Sequence, residues 1–418
     1  MKKLLSLLAA AVLFPVAANA DVLSNVNLKG DIQVIASDVN HTTVAPANAY
    51  NRGTSARVLA GLSADLVEDV TANLMFQYAN IWGADNSAGK TTQNYWDNIR
   101  LVEANVVLHN LFCCLEATVG RQFYGDEDSA VMYFGPNHYN AEFNGYTRAL
   151  DAAKITYADD FKAFTVIAGR TNNTLAGQAW TGNIGVMNNP AMAPLPANEY
   201  DVFGADLKLN LTDEIKAQVY GYDFNGLPAI NGAGDDRHSG IYGAKLTVNT
   251  PVRFGAEYAR NFGGDKFVRE HDSTGHMAKV DVATDIEAVT VRGAAMYANN
   301  NFFAFGNYTP GLLVGHRLGG AIDNYSIGGV ALFNLGFDVK PADKWTVSLD
   351  GYSFQDHRLK HSSTWEADVT VKYAHNEYVE LFAGAGYAKL TTWEGTAFNK
   401  TNFGSDNVKG QLGMLIKF

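Results

Sequence analysis

Residues 407–418 read NVKGQLGMLIKF and decide the fold class of the whole chain. Small or apolar residues occupy every even position of this stretch, whereas Asn407, Lys409, Gln411 and Lys417 stand at odd positions. Successive side chains of a β-strand point to opposite faces, so this stretch predicts a strand with one apolar and one largely polar face. Its length is that of a tilted strand crossing a bilayer.

The same alternation recurs along the chain, and we count eighteen such segments. Their spans are 26–36, 56–66, 70–80, 98–109, 114–123, 147–158, 162–171, 200–210, 214–223, 238–249, 252–262, 274–283, 286–297, 325–339, 344–354, 364–374, 377–388 and 406–418. A β-solenoid would need a fixed repeat length, and the spacing between these segments varies too much for one.

The connections between these segments alternate in length. The short ones are 67–69, 110–113, 159–161, 211–213, 250–251, 284–285, 340–343 and 375–376. The long ones are 37–55, 81–97, 124–146, 172–199, 224–237, 263–273, 298–324, 355–363 and 389–405. Short periplasmic turns, long extracellular loops and an even strand count are typical of outer-membrane barrels. The sequence therefore predicts an all-β fold, a transmembrane antiparallel β-barrel of about eighteen strands.

The N-terminus has the pattern of a secretory signal peptide. Lys2 and Lys3 precede an apolar run, which ends at the cleavage motif Ala18-Asn19-Ala20. We expect residues 1–20 to be removed during export and residues 21–418 to form the barrel. After residue 20 no run of apolar residues is long enough for a membrane-spanning helix. The expected location is the outer membrane of a Gram-negative cell.

Composition excludes several classes of function. The chain of 418 residues has a formal net charge of −11 and no polybasic stretch, so nucleic-acid binding is not expected. Cys113 and Cys114 are its two cysteines, and adjacent cysteines strain an intramolecular disulfide. They could stay as free thiols or form bridges to another chain. We find no G-x-S-x-G or other nucleophile motif and expect neither an enzyme nor a cofactor.

Metal ligation is not expected either. His271 and His276 share one loop, and His357 and His361 share another. Each pair lacks the third and fourth ligands that a zinc site needs. The acidic runs lack the ordered spacing of a calcium loop.

Residues 115–148 read LEATVGRQFYGDEDSAVMYFGPNHYNAEFNGYTR and resemble the alginate-export family of outer-membrane proteins. The matching positions are Val119, Gly120, Arg121, Gln122, Tyr124, Gly125, Asp126, Phe143, Asn144, Gly145 and Arg148. The resemblance implies an eighteen-stranded barrel and, for some members, export of an acidic polysaccharide. It also favours an inward side chain at Arg121.

Candidate pore residues cluster around the loop at 124–146, where porins often fold a constriction inward. Asp126, Glu127 and Asp128 open this loop, and Arg148 and Lys154 follow it. Acids that face bases across a constriction would create a transverse field on solutes. The rival interpretation is a solvated surface loop.

Arg121 and Arg170 each follow a glycine at the outer end of a strand. Simple alternation gives both the lipid-facing parity, with the guanidinium at the membrane interface. A β-bulge at the glycine would instead turn the side chain into the lumen. We expect the inward orientation for Arg121 and leave both orientations open for Arg170.

These observations predict a porin-like channel for passive diffusion of hydrophilic solutes, because the polar faces carry acids and bases in about equal number. Export of an acidic polysaccharide is the alternative. The expected partners are outer-membrane lipid, the transported solute and the barrel-assembly machinery, which would recognise the terminal Phe418. A monomer is expected rather than a trimer.

Overall fold

The structure is a computed structural model. It describes residues 24–41, 52–82, 99–112, 114–140, 147–171, 200–227, 237–263, 274–299, 302, 304–308, 310–314, 329–356, 359, 364–391 and 406–418. The predicted signal peptide and most of the long loops lie outside these residues. In the part of the chain that is described, no helix is long and apolar enough to cross a membrane.

The described residues form twenty strands. They are β1 (Ser24–His41), β2 (Arg52–Val67), β3 (Val70–Trp82), β4 (Ile99–Leu111), β5 (Leu115–Gln122), β6 (Tyr124–Gly125), β7 (Tyr133–Phe134), β8 (Leu150–Ala158), β9 (Lys162–Thr171), β10 (Asp201–Asn210), β11 (Ile215–Leu227), β12 (Arg237–Asn249), β13 (Val252–Phe262), β14 (His276–Ile286), β15 (Val289–Ala298), β16 (Val330–Ala342), β17 (Trp345–Asp356), β18 (Thr364–Ala374), β19 (Val379–Lys389) and β20 (Asp406–Lys417).

All of these except β6 and β7 belong to one antiparallel sheet of 18 strands. Each strand pairs with its neighbours in the chain, with β5 followed by β8, and β1 pairs with β20 to close the barrel. The backbone groups of Phe418 and Gly30 exchange two hydrogen bonds, of 2.7 and 3.1 Å, at this seam. The predicted barrel and its strand count are confirmed. Closure leaves no sheet edge exposed in a bilayer.

The two faces of the barrel differ as the alternation predicts. Large apolar side chains are exposed on the outside, among them Leu28, Val119, Phe203, Leu335 and Leu412. Their neighbours along the strands point into the lumen. A continuous apolar exterior is what a bilayer requires of a spanning sheet.

One predicted turn is wrong. We expected a turn at Thr284-Asp285, but β14 continues to Ile286, which pairs with Val289, and the chain reverses at residues 287–288. Glu287 takes the left-handed conformation, with φ 53°, which the tight reversal requires. The other seven predicted turns overlap connections between neighbouring strands.

An apolar cluster fills part of the lumen towards the long-loop side. Wall residues near the outer ends of their strands, such as Val202, Phe224 and Ile241, are fully buried there. They pack against residues from two segments that leave the wall and fold inward. The inward faces of these strands are therefore apolar at the outer end and polar further down. The candidate functional site lies where the apolar part meets the polar part.

Candidate functional site: a constriction built by two inward segments

The connection between β5 and β8 folds into the barrel, and we call its residues 123–140 the first inward segment. Arg57, a wall residue of β2, donates a hydrogen bond of 2.6 Å from Nη1 to the carbonyl oxygen of Asn137. The backbone N–H of Tyr139 donates to Oε1 of Gln33 on β1 over 3.0 Å. These contacts hold the segment against the inner wall. The interpretation of this region as a solvated surface loop is wrong for the described residues.

A second inward segment, residues 302–314 without the undescribed positions 303 and 309, comes from the connection between β15 and β16. The N–H of Phe305 donates to the carbonyl of Val131 over 2.9 Å, and the N–H of Tyr133 donates to the carbonyl of Phe305 over 2.9 Å. The two segments are thus joined through their backbones. The alternation of the sequence did not predict this second segment. The available signal was its aromatic run, NFFAFGNY at 301–308, in a loop expected to face water.

Two carboxylates of β18 anchor the second segment. Oε1 and Oε2 of Glu366 accept the N–H groups of Leu313 and Val314 over 2.6 and 2.7 Å. Oδ2 of Asp368 accepts the N–H of Leu312 over 2.9 Å. Nζ of Lys409, a fully buried side chain, donates to the carbonyl of Leu312 over 2.9 Å. Hydrogen bonds to charged groups are roughly twice as strong as neutral ones. These three side chains therefore hold the second segment firmly against the wall.

Aromatic rings pack the junction of the two segments with the wall. The ring of Phe305 lies 4.5 Å from that of Phe224, 4.9 Å from that of Tyr200 and 6.4 Å from that of Phe134. Such separations are typical of favourable aromatic pairs. The inward segments therefore narrow the lumen as one packed body.

The three predicted acids of the first segment all lie inside the barrel. Oδ2 of Asp126 is 3.7 Å from Nζ of Lys208 on β10, and Oε2 of Glu127 is 2.8 Å from Nδ1 of His138. Asp128 lies between Glu127 and Ser129, and the carbonyl of Ser129 accepts the N–H of Asn307 of the second segment over 2.7 Å. Burial raises the pKa of Tyr124 to about 12, so its hydroxyl stays protonated beside that of Tyr222, 3.2 Å away.

Arg148 and Lys154 also point inward. Nη2 of Arg148 donates to the carbonyl of Gly306 over 3.2 Å, and its guanidinium carbon lies 5.4 Å from the centre of the Phe134 ring. This places Arg148 between the two segments. Lys154 faces the lumen from β8.

Arg121 does not face the lumen, so the expected inward orientation is wrong. Gly120 has a φ of 122°, but no residue is inserted there, since Val119, Gly120 and Arg121 pair in unbroken register with β4 and β8. Arg121 therefore keeps the outward parity of Val119, which is 55% exposed. Its Nε and Nη2 donate to Asp151 over 2.7 and 2.8 Å.

Arg170 has the same outward orientation, which decides between its two alternatives. Its Nε and Nη2 donate to Asp201 over 2.6 and 3.1 Å. In the strand register Arg121 stands opposite Asp151, Asp151 opposite Arg170, and Arg170 opposite Asp201. An alternating row of charges thus crosses four strands on the outer wall. Its position near the long-loop ends fits the membrane interface, where an arginine costs little free energy.

A cavity of about 360 Å³ lies between the first inward segment and the wall of β8 to β13. Its wall contains a row of side chains in cross-strand register that runs Lys208, Gln218, Lys245, Glu257. The next residue of this row is Lys279 on β14. The alternation of the sequence puts these lysines on polar faces, but it does not show that every second strand brings a lysine to one row.

The acids of this cavity are engaged by neutral partners or by one lysine. Oδ2 of Asp206 accepts a hydrogen bond from Gln218, and Oε1 of Glu257 accepts one of 2.7 Å from the hydroxyl of Tyr220. In contrast, Lys154 and Lys245 have no hydrogen-bond or ion-pair partner among the residues that the structure describes. Two free ammonium groups therefore face the cavity.

The remaining candidate residues are the histidines and cysteines that the sequence offered as possible metal ligands or reactive thiols. Within the described ranges, no group of three or more His, Cys, Asp or Glu side chains could hold a metal ion. His271, His357 and His361 lie outside those ranges, as does Cys113. Cys114 is exposed in the turn between β4 and β5.

Comparison with known proteins supports the fold. OccAB1 of Acinetobacter baumannii superposes with a TM-score of 0.62 and 9% identity, over 95% of this chain and 97% of that one. OccK5 (OpdH) of Pseudomonas aeruginosa gives 0.59 and 12%, over 95% and 99%. OprD of the same organism gives 0.53 and 10%, over 94% and 95%. At these identities the likeness shows the barrel fold alone.

No protein-family model matches the chain, and no curated protein matches it. The resemblance of residues 115–148 to the alginate-export family is therefore not confirmed.

Proposed function

We propose that this chain is a passive diffusion channel of the Gram-negative outer membrane for small hydrophilic solutes of either charge. The observation that carries the proposal is the cavity beside the first inward segment, whose lining carries three lysines and three acids. A charge in a narrow, poorly screened passage acts on an ion more strongly than a charge on an open surface. The likeness of the fold to that of outer-membrane barrels such as OprD also supports a channel function.

Export of an acidic polysaccharide is not favoured. The two inward segments join inside the lumen, and their junction is packed with aromatic rings around Phe305. Carboxylates of Asp206, Glu257 and Asp126 also border the passage. A polyanion would need a wide bore with a mostly basic wall, whereas a small solute needs neither.

Planar-bilayer recording tests the proposal. The purified protein should form ion-conducting channels, and the reversal potential in a salt gradient should show only weak selectivity between anions and cations. A protein that inserts without conducting would contradict the channel function, and strong anion selectivity would favour the polysaccharide exporter instead. Uptake of small anionic solutes into liposomes, compared with neutral and cationic solutes of similar size, extends the test beyond inorganic ions.

A further inference from the structure

A buried cluster of four ionisable side chains fastens the first inward segment to the wall. Asp31 of β1 and Arg57 of β2 come from the barrel, and Glu127 and His138 come from the segment. Nη2 of Arg57 donates to Oδ1 of Asp31 over 2.9 Å. His138 lies between the two acids, with Nδ1 2.8 Å from Oε2 of Glu127 and Nε2 3.3 Å from Oδ2 of Asp31. We call these four residues the segment lock.

The protonation state of His138 decides how many of these contacts can form. A protonated imidazole donates from both ring nitrogens, whereas a neutral one donates from only one and presents a lone pair at the other. With His138 charged, two cations balance the two carboxylates of Asp31 and Glu127. With His138 neutral, one carboxylate loses its donor in a buried place and the lock carries a net negative charge, which is unfavourable.

We propose that the segment lock makes the channel pH-sensitive: protonated His138 holds the first inward segment against β1 and β2, and loss of that proton releases it and widens the passage. This inference rests on the proposed channel function, because it names the regulation of the same constriction. The released element is the stretch Asn137 to Tyr139. Its other wall contacts include hydrogen bonds of Gln33, Arg57 and Gln411, and the Tyr139 ring packs 5.2 Å from that of Phe382.

The surroundings of His138 set the direction of the switch. Burial lowers the pKa of His138, but the hydrogen bonds with Asp31 and Glu127 outweigh burial and raise it above its ordinary value. Burial raises the pKa of Glu127, and its contacts with His138 outweigh that and lower it. The lock is therefore strongest above the pKa of Glu127 and below that of His138. It weakens as pH rises through the raised pKa of His138, or falls through the lowered pKa of Glu127.

The other charged groups near the lock leave this direction unchanged. Arg57 faces His138 from β2 and opposes its protonation, but less than the carboxylates favour it. Lys372 of β18 lies beyond the neighbouring Tyr139, with Nζ 3.6 Å from the centre of that ring and 3.9 Å from Oε1 of Glu380 on β19, so these two charges oppose each other. Asn307 of the second segment is uncharged and donates to the backbone carbonyl of Glu127 over 3.0 Å.

Recording from the full-length protein at several pH values tests the inference. We expect unit conductance to rise about twofold from mildly acidic to mildly alkaline pH. His138→Gln carries no charge and has a single donor nitrogen in place of two, so it should conduct at all pH values as the wild type does at alkaline pH. His109→Gln is the matched control, because Nδ1 of His109 also lies near a carboxylate, 3.3 Å from Oε2 of Glu116, but away from both segments. It should keep the pH response.

Hydrogen exchange provides a second readout that does not depend on conductance. The amides of His138 and Tyr139 donate to Glu127 and Gln33, so peptides covering them should lose protection at alkaline pH, after correction for the intrinsic rate. A wild-type channel with pH-independent conductance, or an unchanged pH response in His138→Gln, overturns the inference. A protein that never conducts but shows the exchange response refutes the channel and retains the lock; one that shows neither refutes both.

Discussion

Arg121 and Asp151 form a two-hydrogen-bond ion pair across β5 and β8 on the outer wall of the barrel, with Nε–Oδ1 and Nη2–Oδ2 distances of 2.7 and 2.8 Å. Arg170 and Asp201 form a second ion pair on the next two strands, and Asp151 of the first pair stands opposite Arg170 in the register. Both arginines were candidates for the pore lining. Their outward position removes both arginines from the solute path. It decides between the lumen-facing and the lipid-facing orientation, which the sequence alone could not do.

Arg121→Gln should therefore leave ion selectivity unchanged. The guanidinium faces away from the lumen, and the wall lies between it and permeating ions. The free energy of unfolding should fall by no more than about 1 kcal/mol, as for other partly exposed ion pairs. The measurements are the reversal potential in a salt gradient and denaturant unfolding in detergent. A clear shift of the reversal potential would restore the inward orientation.

Replacing the two free lysines, Lys154→Gln together with Lys245→Gln, should shift ion selectivity towards cations. Loss of two positive charges from the cavity wall should lower the anion-to-cation permeability ratio by about two- to fivefold. Unit conductance should change less, because strand number sets the bore of the barrel. Lys162→Gln is the matched control, since Lys162 is exposed on the outer face near the periplasmic end of β9. An equal effect from the control would mean that general surface charge, not the cavity, sets selectivity.

Glu366→Ala should loosen the second inward segment. The change removes the acceptors of two backbone N–H groups, those of Leu313 and Val314, and each charge-assisted bond is worth about 1.5–3 kcal/mol. We expect larger unit conductance and more frequent current fluctuations in planar bilayers. Glu116→Ala, which removes a partly exposed lumen carboxylate near the periplasmic end of β5, should have neither effect. Unaltered conductance in Glu366→Ala would show that the packed aromatic rings suffice to hold the segment.

Phe305→Ala should destabilise the barrel. Phe305 is 1% exposed and contacts rings from the wall and from the first segment, so its removal leaves a cavity costing about 3–5 kcal/mol. Phe333→Ala is the control of equal size change: Phe333 is 48% exposed on the outer face, where detergent can fill the space. Unfolding in detergent should separate the two variants clearly. Similar losses in both would mean that the inward segments contribute little to stability.

The barrel, its strand number and the direction of most side chains could be predicted from the sequence alone. A period of two is a local property of the chain. Lipid-facing positions carry apolar or small side chains and lumen-facing positions are mostly polar, as in NVKGQLGMLIKF. The inward course of the first segment was one of two interpretations, because its acids and the arginine that follows it also fit a solvated surface loop.

Only the tertiary structure decided which residues meet inside the barrel. Arg57 binds the carbonyl of Asn137, 80 positions away, and Glu366 binds Val314, 52 positions away. No local pattern encodes such pairs, because they depend on two loops sharing one closed lumen. The orientation of Arg121 likewise follows from unbroken pairing with both neighbouring strands, which the glycine before it could not reveal. Periodicity is set by neighbours in the chain, whereas the constriction is set by neighbours in space.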